Sequence, residues 1–250
     1  MKSCLICVCM WGMVATTLAQ QTFFTIPSGE ITHKGKHFYQ VQANFWHVYA
    51  AQTKFDFDYG IGHHWELGFN LDTDLSWRKN TPFLTVEDTI GLENITPLVL
   101  FNMQKGIPIL PHPKLRINIG TQMGTNLINE GHWHWAYTFY TMLASEFQED
   151  WHINAGAYIA NSAFTGEGSN YGFFAGIEIP FSERWAFMSD ATFSKTANSI
   201  ASLGISFNPT NRIQVCLGGI TTTPTNPFKQ TGVIFEISFF GWDFWDKNEE

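Results

Sequence analysis

The chain predicts an all-β fold: a twelve-stranded antiparallel transmembrane up-and-down β-barrel. Three observations carry that prediction. The first is the hairpin in residues 199–219. Ala201, Leu203, Ile205 and Phe207 alternate with Ser202, Gly204 and Ser206, and Ile213, Val215 and Leu217 alternate with Gln214, Cys216 and Gly218. A period of two with one apolar face is the mark of a β-strand. The second is composition. Only 14% of the 250 residues are charged, against roughly 25% in ordinary soluble domains, while 16% are aromatic, including 23 Phe and 10 Trp. Mean hydropathy is nevertheless −0.09, because every second residue of a barrel strand is polar. The third is that short turns and longer connections alternate along the chain, as they do between the two rims of an outer-membrane barrel.

Residues 1–19 have the form of a secretory signal peptide, with Lys2 at its charged end, an apolar core over residues 4–14, and small residues at Thr17 and Ala19 for cleavage before Gln20. Three of the four cysteines lie in this leader, so Cys216 remains alone and no disulfide is expected in the mature chain. Losing Lys2 takes the formal net charge from −8 to −9, which argues against nucleic acid as a partner. No later stretch is long and apolar enough for a transmembrane helix. Residues 20–32 are expected as a periplasmic extension or an edge segment beneath the barrel, residues 33–245 as the barrel, and residues 246–250 as an acidic periplasmic tail.

The strands follow in order. The first, near 37–49, alternates Tyr39, Val41, Ala43 and Phe45 with Gln40, Gln42 and Asn44. The second, 54–61, sets Phe55, Phe57 and Tyr59 against Asp56 and Asp58. After a tight turn at Gly62, His63 and His64, the third sets Trp65, Leu67, Phe69 and Leu71 against Glu66, Asn70 and Asp72. Residues 77–94 do not alternate and are expected as a loop. The fourth strand, about 95–110, is the least regular. The fifth sets Leu115, Ile117 and Ile119 against Arg116 and Asn118, and the sixth runs through Trp133, Trp135, Tyr137 and Phe139. Strands at 151–159, 171–179 and 185–193 follow. The opening hairpin has its turn placed at residues 208–211, and the twelfth strand is 232–242. Strands of about ten residues, rising ~3.3 Å each and tilted ~40°, cover a ~25 Å apolar band.

Trp65, Trp151 and Trp185 each follow a short turn on the outward face and predict one interfacial girdle, with Trp77, Trp133 and Trp135 marking the other. Charged groups facing hydrocarbon are costly, so Asp56, Asp58, Glu66, Arg116, Asn118, Glu178, Asp190 and Glu236 are expected to line a lumen. Two readings stay open. In one, the lumen is a narrow wet passage for a neutral solute or a cation. In the other, Arg116 pairs with Glu66, Glu178 or Glu236 and the lumen is largely blocked. His132 and His134 share one strand face but lack a third ligand, so rim residues are expected there and no metal or cofactor. A barrel hydrolase would need His beside Ser on the outward face. No histidine lies within two residues of Ser145 or Ser189, and no enzyme is expected.

The run Phe57-Asp58-Tyr59-Gly60-Ile61-Gly62 followed by Trp65-Glu66-Leu67-Gly68 resembles the strand-turn-strand hairpin of the transporter-like outer-membrane barrels of the phenol-degradation meta-pathway group. The hairpins at 177–187 and 203–217 are similar to later hairpins of that group. The resemblance implies a barrel for uptake of a small solute or hydrophobic compound, and it brings no site residues with it. The terminal aromatic of such barrels is displaced here, since Phe244 and Trp245 are followed by five residues. The expected partners are outer-membrane lipid, the outer-membrane assembly machinery and a small solute, in the outer membrane of a Gram-negative-type bacterium.

Overall fold

The computed structural model describes residues 23–111, 114–128, 131–147 and 151–243. The expected signal peptide, the turn at 112–113, the turn at 148–150, the aromatics Phe244 and Trp245 and the acidic tail lie outside the described residues. The strands are β1 (His37–His47), β2 (Ala50–Gly62), β3 (Trp65–Ser76), β4 (Leu84–Thr85), β5 (Leu98–Pro111), β6 (Lys114–Asn126) and β7 (Trp135–Phe147). They continue with β8 (Trp151–Ala160), β9 (Tyr171–Ser182), β10 (Trp185–Phe193), β11 (Ile200–Thr210), β12 (Ile213–Thr222) and β13 (Thr231–Phe240), and a one-turn helix α1 (Ser162–Thr165) precedes β9.

Each long strand pairs antiparallel with its sequence neighbours, and β1 pairs with β13 from Phe38↔Phe240 to Phe45↔Val233, which closes the ring. Twelve strands form the barrel. The two-residue β4 is an arm on the edge of β3, at Asp74 and Leu75. Among the described residues closure leaves the twelve-stranded wall no unpaired edge, as a sheet facing hydrocarbon would require.

The alternation of the sequence becomes two faces. Leu203, Leu217 and Phe173 are 59%, 53% and 60% exposed on the outside, while Asn118, Glu178 and Glu236 are fully buried on the inside. This inverts the pattern of a soluble domain and suits a wall with oil outside.

Two hairpins show how local chemistry sets the turns. His63 and His64 both take positive φ, at 54° and 59°. Two such residues make the two-residue turn whose twist matches its strands, so the tight turn read from Gly62-His63-His64 is in place. The turn expected at residues 208–211 is shorter than predicted. β11 runs on to Thr210 and only Asn211 and Arg212 turn. Asn208 stays in the wall because its N–H donates to Arg184 O at 2.9 Å. Pro209, which has no N–H to offer, sits where the pairing register shifts between Phe207 and Thr210. At the opposite rim, Val48 and Tyr49 form a two-residue turn, where the predicted strands near 37–49 and 54–61 leave residues 50–53 as the connection.

Candidate functional site

The segment over residues 23–34 does not hang below the barrel as expected. It lies inside, as a strap around the short-turn half of the lumen. Its backbone has no continuous strand partner, so the wall's inward side chains satisfy it, as buried peptide groups require. Lys34 bridges Gly60 on β2. Glu66 on β3 accepts from Thr32 N at 2.8 Å and Thr32 Oγ1 at 3.0 Å. Gln104 Nε2 on β5 donates to Ser28 O and Glu30 O at 3.3 and 3.2 Å. On β6, Asn118 Nδ2 donates to Gly29 O at 2.8 Å, and Asn154 on β8 donates to Pro27 O at 3.3 Å. Asp190 on β10 accepts from Thr25 N at 2.5 Å and Ile26 N at 3.2 Å, and from the Ser202 hydroxyl.

Apolar contacts complete the seat. Phe23, Phe24 and Ile26 are buried among Met142, Phe174, Met188, Ile220 and Ile234. A Cβ on Gly218 would stand 3.0 Å from the Phe24 ring, and one on Gly176 would stand 2.8 Å from Ile26 Cδ1. These wall glycines make room for the strap, the close approach that glycine in a strand often marks. At the strap's end the His33 ring stacks on Trp242, with centroids 4.9 Å apart and planes 16° from parallel. The chain just past the last strand therefore packs on the chain just before the first.

Above the strap, toward the longer loops, lies a cavity of about 250 Å³, just below the ~300–1,000 Å³ range of ligand pockets. Phe24, Thr25, Ile26 and Pro27 form its floor. One wall is charged. Asp56 and Asp58 from β2, with Glu66, Asp72 and Asp74 from β3, face it, and Lys54 is the one basic residue among its lining. Lys54 Nζ lies 3.1 Å from Asp56 Oδ2 and stands opposite Asp72 in register. Asp74 accepts from Thr96 Oγ1 at 3.1 Å. Tyr140, Tyr158 and Phe174, from β7, β8 and β9, line the other wall. In the ring of twelve strands β9 stands opposite β2 and β8 one place short of it, while β7 is only three places from β3, and Tyr140 on it donates to Gln104 Oε1 on β5 at 2.6 Å. Phe164 of α1 also lines the cavity; its carbonyl accepts from Asn198 Nδ2 at 3.1 Å, and the neighbouring Ala163 carbonyl accepts from Ile95 N at 3.2 Å.

The eight residues expected to line a lumen divide between these two halves. Asp56, Asp58 and Glu66 border the cavity. Asn118, Arg116 and Asp190 serve the strap instead. Arg116 reaches Gly29 O at 3.5 Å and pairs with Glu146 at 2.8 Å, not with Glu66, Glu178 or Glu236. Glu178 and Glu236 are buried in the short-turn half, with Ser206 Oγ 3.4 Å from Glu178 and Ser238 Oγ 3.5 Å from Glu236. Lys54, Asp72 and Asp74 were absent from the expected set. Asp74 lies beyond the point where the predicted third strand stops, and the continued alternation from Asp72 through Asp74 is the signal that would have included it.

Of the aromatics, Trp65 carries the Lys105 ammonium 5.1 Å from its ring centroid, and Trp185 stacks on Phe207 at 4.3 Å. Trp151 is half-buried. Trp133 and Trp135 are 67% and 75% exposed, and Trp77 Nε1 donates to Val48 O at 2.9 Å. His132 and His134 have ring centroids 6.2 Å apart, with His134 Nε2 3.0 Å from Asp88 O. Among the described residues no group of three or more His, Cys, Asp or Glu side chains is placed to hold a metal ion.

Fold and lumen together define a class: a closed β-barrel with an oily exterior and a polar, partly filled interior. No protein-family profile and no curated protein matches the chain. Among solved structures it is similar to the NanC porin, at 10% identity and TM-score 0.56, over 81% of this chain and 98% of that one. It also aligns with the outer membrane phospholipase A of Escherichia coli (12% identity, TM-score 0.49, covering 83% and 93%). An outer membrane channel from Pseudomonas putida aligns at 8% identity and TM-score 0.47, covering 90% and 100%. The first of these supports the fold, a twelve-stranded antiparallel barrel; the other two carry no further argument.

Proposed function

We propose that this protein is an outer-membrane β-barrel that takes a small solute from its long-loop rim into the lumen for binding or passive passage. The observation that carries the reading is the cavity above the strap, which is polar, charged on one side and seated inside a lipid-compatible wall. Its surplus of carboxylates favours cations over anions. The hairpin at 57–68 supports the narrower reading, kinship with the phenol-degradation meta-pathway barrels and uptake of small, partly hydrophobic compounds. The reading gives Ser145 and Ser189 no catalytic part, and a lipase assay on the solubilised protein tests that directly.

The strap favours a second reading, a blocked barrel with a structural or surface role. Planar-bilayer recording of the full mature chain beside a chain lacking residues 23–32 separates the two. Steps from the full chain support passage. Steps from the deleted chain alone, or silence from both with barrels shown to be folded by heat-modifiable migration, support the blocked barrel.

A further inference from the structure

We infer that the lumenal cavity is shaped for an organic ammonium ion carrying an apolar or aromatic body. This deepens the reading of a solute-admitting barrel and rests on it. The lining changes in kind around the ring: carboxylates on β2 and β3, rings on β8 and β9 on the far side, and Tyr140 of β7 between the two. On β2 and β3, Asp56, Asp58, Asp72 and Asp74 face the space, with Lys54 alone to offset them. Asp56 is 3% exposed; its Oδ2 lies 3.1 Å from the Lys54 ammonium, and its Oδ1 accepts no hydrogen bond. Lys54, set between Asp56 and Asp72, thus occupies part of the place where a guest cation would be held.

The facing wall asks for something other than a bare ion. Tyr140, Tyr158 and Phe174 offer ring surface, and Phe24 adds more from the floor. Tyr158 is 9% exposed and lines the cavity, with Ser194 and Thr196 beside its hydroxyl. A hard metal ion needs a shell of six or more oxygens, and among the described residues no group of three or more His, Cys, Asp or Glu side chains is placed to hold one. An organic ammonium needs no such shell. Its charged head is held by carboxylates, and its body, or the head itself, is favoured by aromatic faces. A carboxylate solute of the same size meets repulsion from β2 and β3.

The test is calorimetric titration of the full mature chain in detergent with benzyltrimethylammonium. Tetramethylammonium, benzoate and benzyl alcohol are the matched controls. The expected result is saturable binding of benzyltrimethylammonium, with each control weaker by about tenfold or more. Lys54→Met, which removes the internal competitor, should tighten binding severalfold. Asp56→Asn with Asp72→Asn should weaken it about tenfold, with folding verified by heat-modifiable migration and circular dichroism. Equal binding of benzoate or benzyl alcohol overturns the inference, as does loosened binding in Lys54→Met. A chain that conducts in bilayers yet binds none of the four also overturns it, while leaving the solute-admitting reading intact. Absence of both conductance and binding, from the full chain and from the strap-deleted chain, removes both.

Discussion

The two halves of the lumen are built from the same alternating strands and end up opposite in character. In the short-turn half, Asn118 and Asp190 spend their hydrogen bonds on the strap's backbone, and Phe23, Phe24 and Ile26 fill the remaining space. In the long-loop half, Asp56, Asp72 and Asp74 face a cavity with only Lys54 to offset them. A polar inward residue therefore has no fixed meaning in a barrel. It is scaffold where chain returns to meet it and site where none does.

The largest expected effect comes from erasing that difference. Deleting residues 23–32 empties the short-turn half, and single-channel recording should then show steps well above those of the full chain; unchanged conductance would mean that the strap does not stand in the path. Next is crowding the strap out. In Gly176→Val the added carbons meet Ile26 Cδ1 and the Phe23 ring, which a bare Cβ would already approach to 2.8 and 3.1 Å. Overpacking of this kind costs roughly 1–3 kcal/mol, and limited proteolysis should cut the strap faster in the variant than in the parent. Asp190→Ala strands the N–H groups of Thr25 and Ile26 in a buried setting, at about 1–3 kcal/mol for each group left unsatisfied. Hydrogen exchange at those two amides should quicken while the wall stays protected. The smallest effect belongs to the open half. Asp74→Asn keeps an acceptor for Thr96 Oγ1, so thermal stability should hardly move, and only cation preference in the bilayer should fall. A large loss of stability in Asp74→Asn would show that the cavity wall, too, is scaffold.

The outer wall offers a separate check. Leu203→Arg places a charge on a face 59% exposed in the isolated chain. It should destabilise the barrel in lipid by about 2–4 kcal/mol if that face meets the bilayer midplane, and equilibrium unfolding from vesicles measures it.

Much of the wall could be read from sequence because each strand meets different surroundings on its two sides. Leu203 beside Ser202, or Phe235 beside Glu236, is a local statement that needs no distant partner. Strand ends were less clear. Asn208-Pro209 has turn composition, yet Asn208 is kept in the wall by Arg184, a residue on the neighbouring hairpin. The strap was not readable as such, because nothing in residues 23–34 alternates and its partners lie on strands scattered over the rest of the chain. The signal was on the other side of the contact. Gly176, Gly204 and Gly218 face inward, as do Met188, Ile220 and Ile234, which a water-filled lumen does not call for. The cavity was half readable: its carboxylates on β2 were foreseen, but the aromatic wall across from them depends on which strands close the ring.

The seam between β1 and β13 joins stretches almost two hundred positions apart, and such distant pairings form late. The strap directly precedes β1, and Trp242 directly follows β13. The staves of this cask thus meet at the place where its stopper is attached, so one joint, with His33 stacked on Trp242 beside it, holds both the wall and its filling.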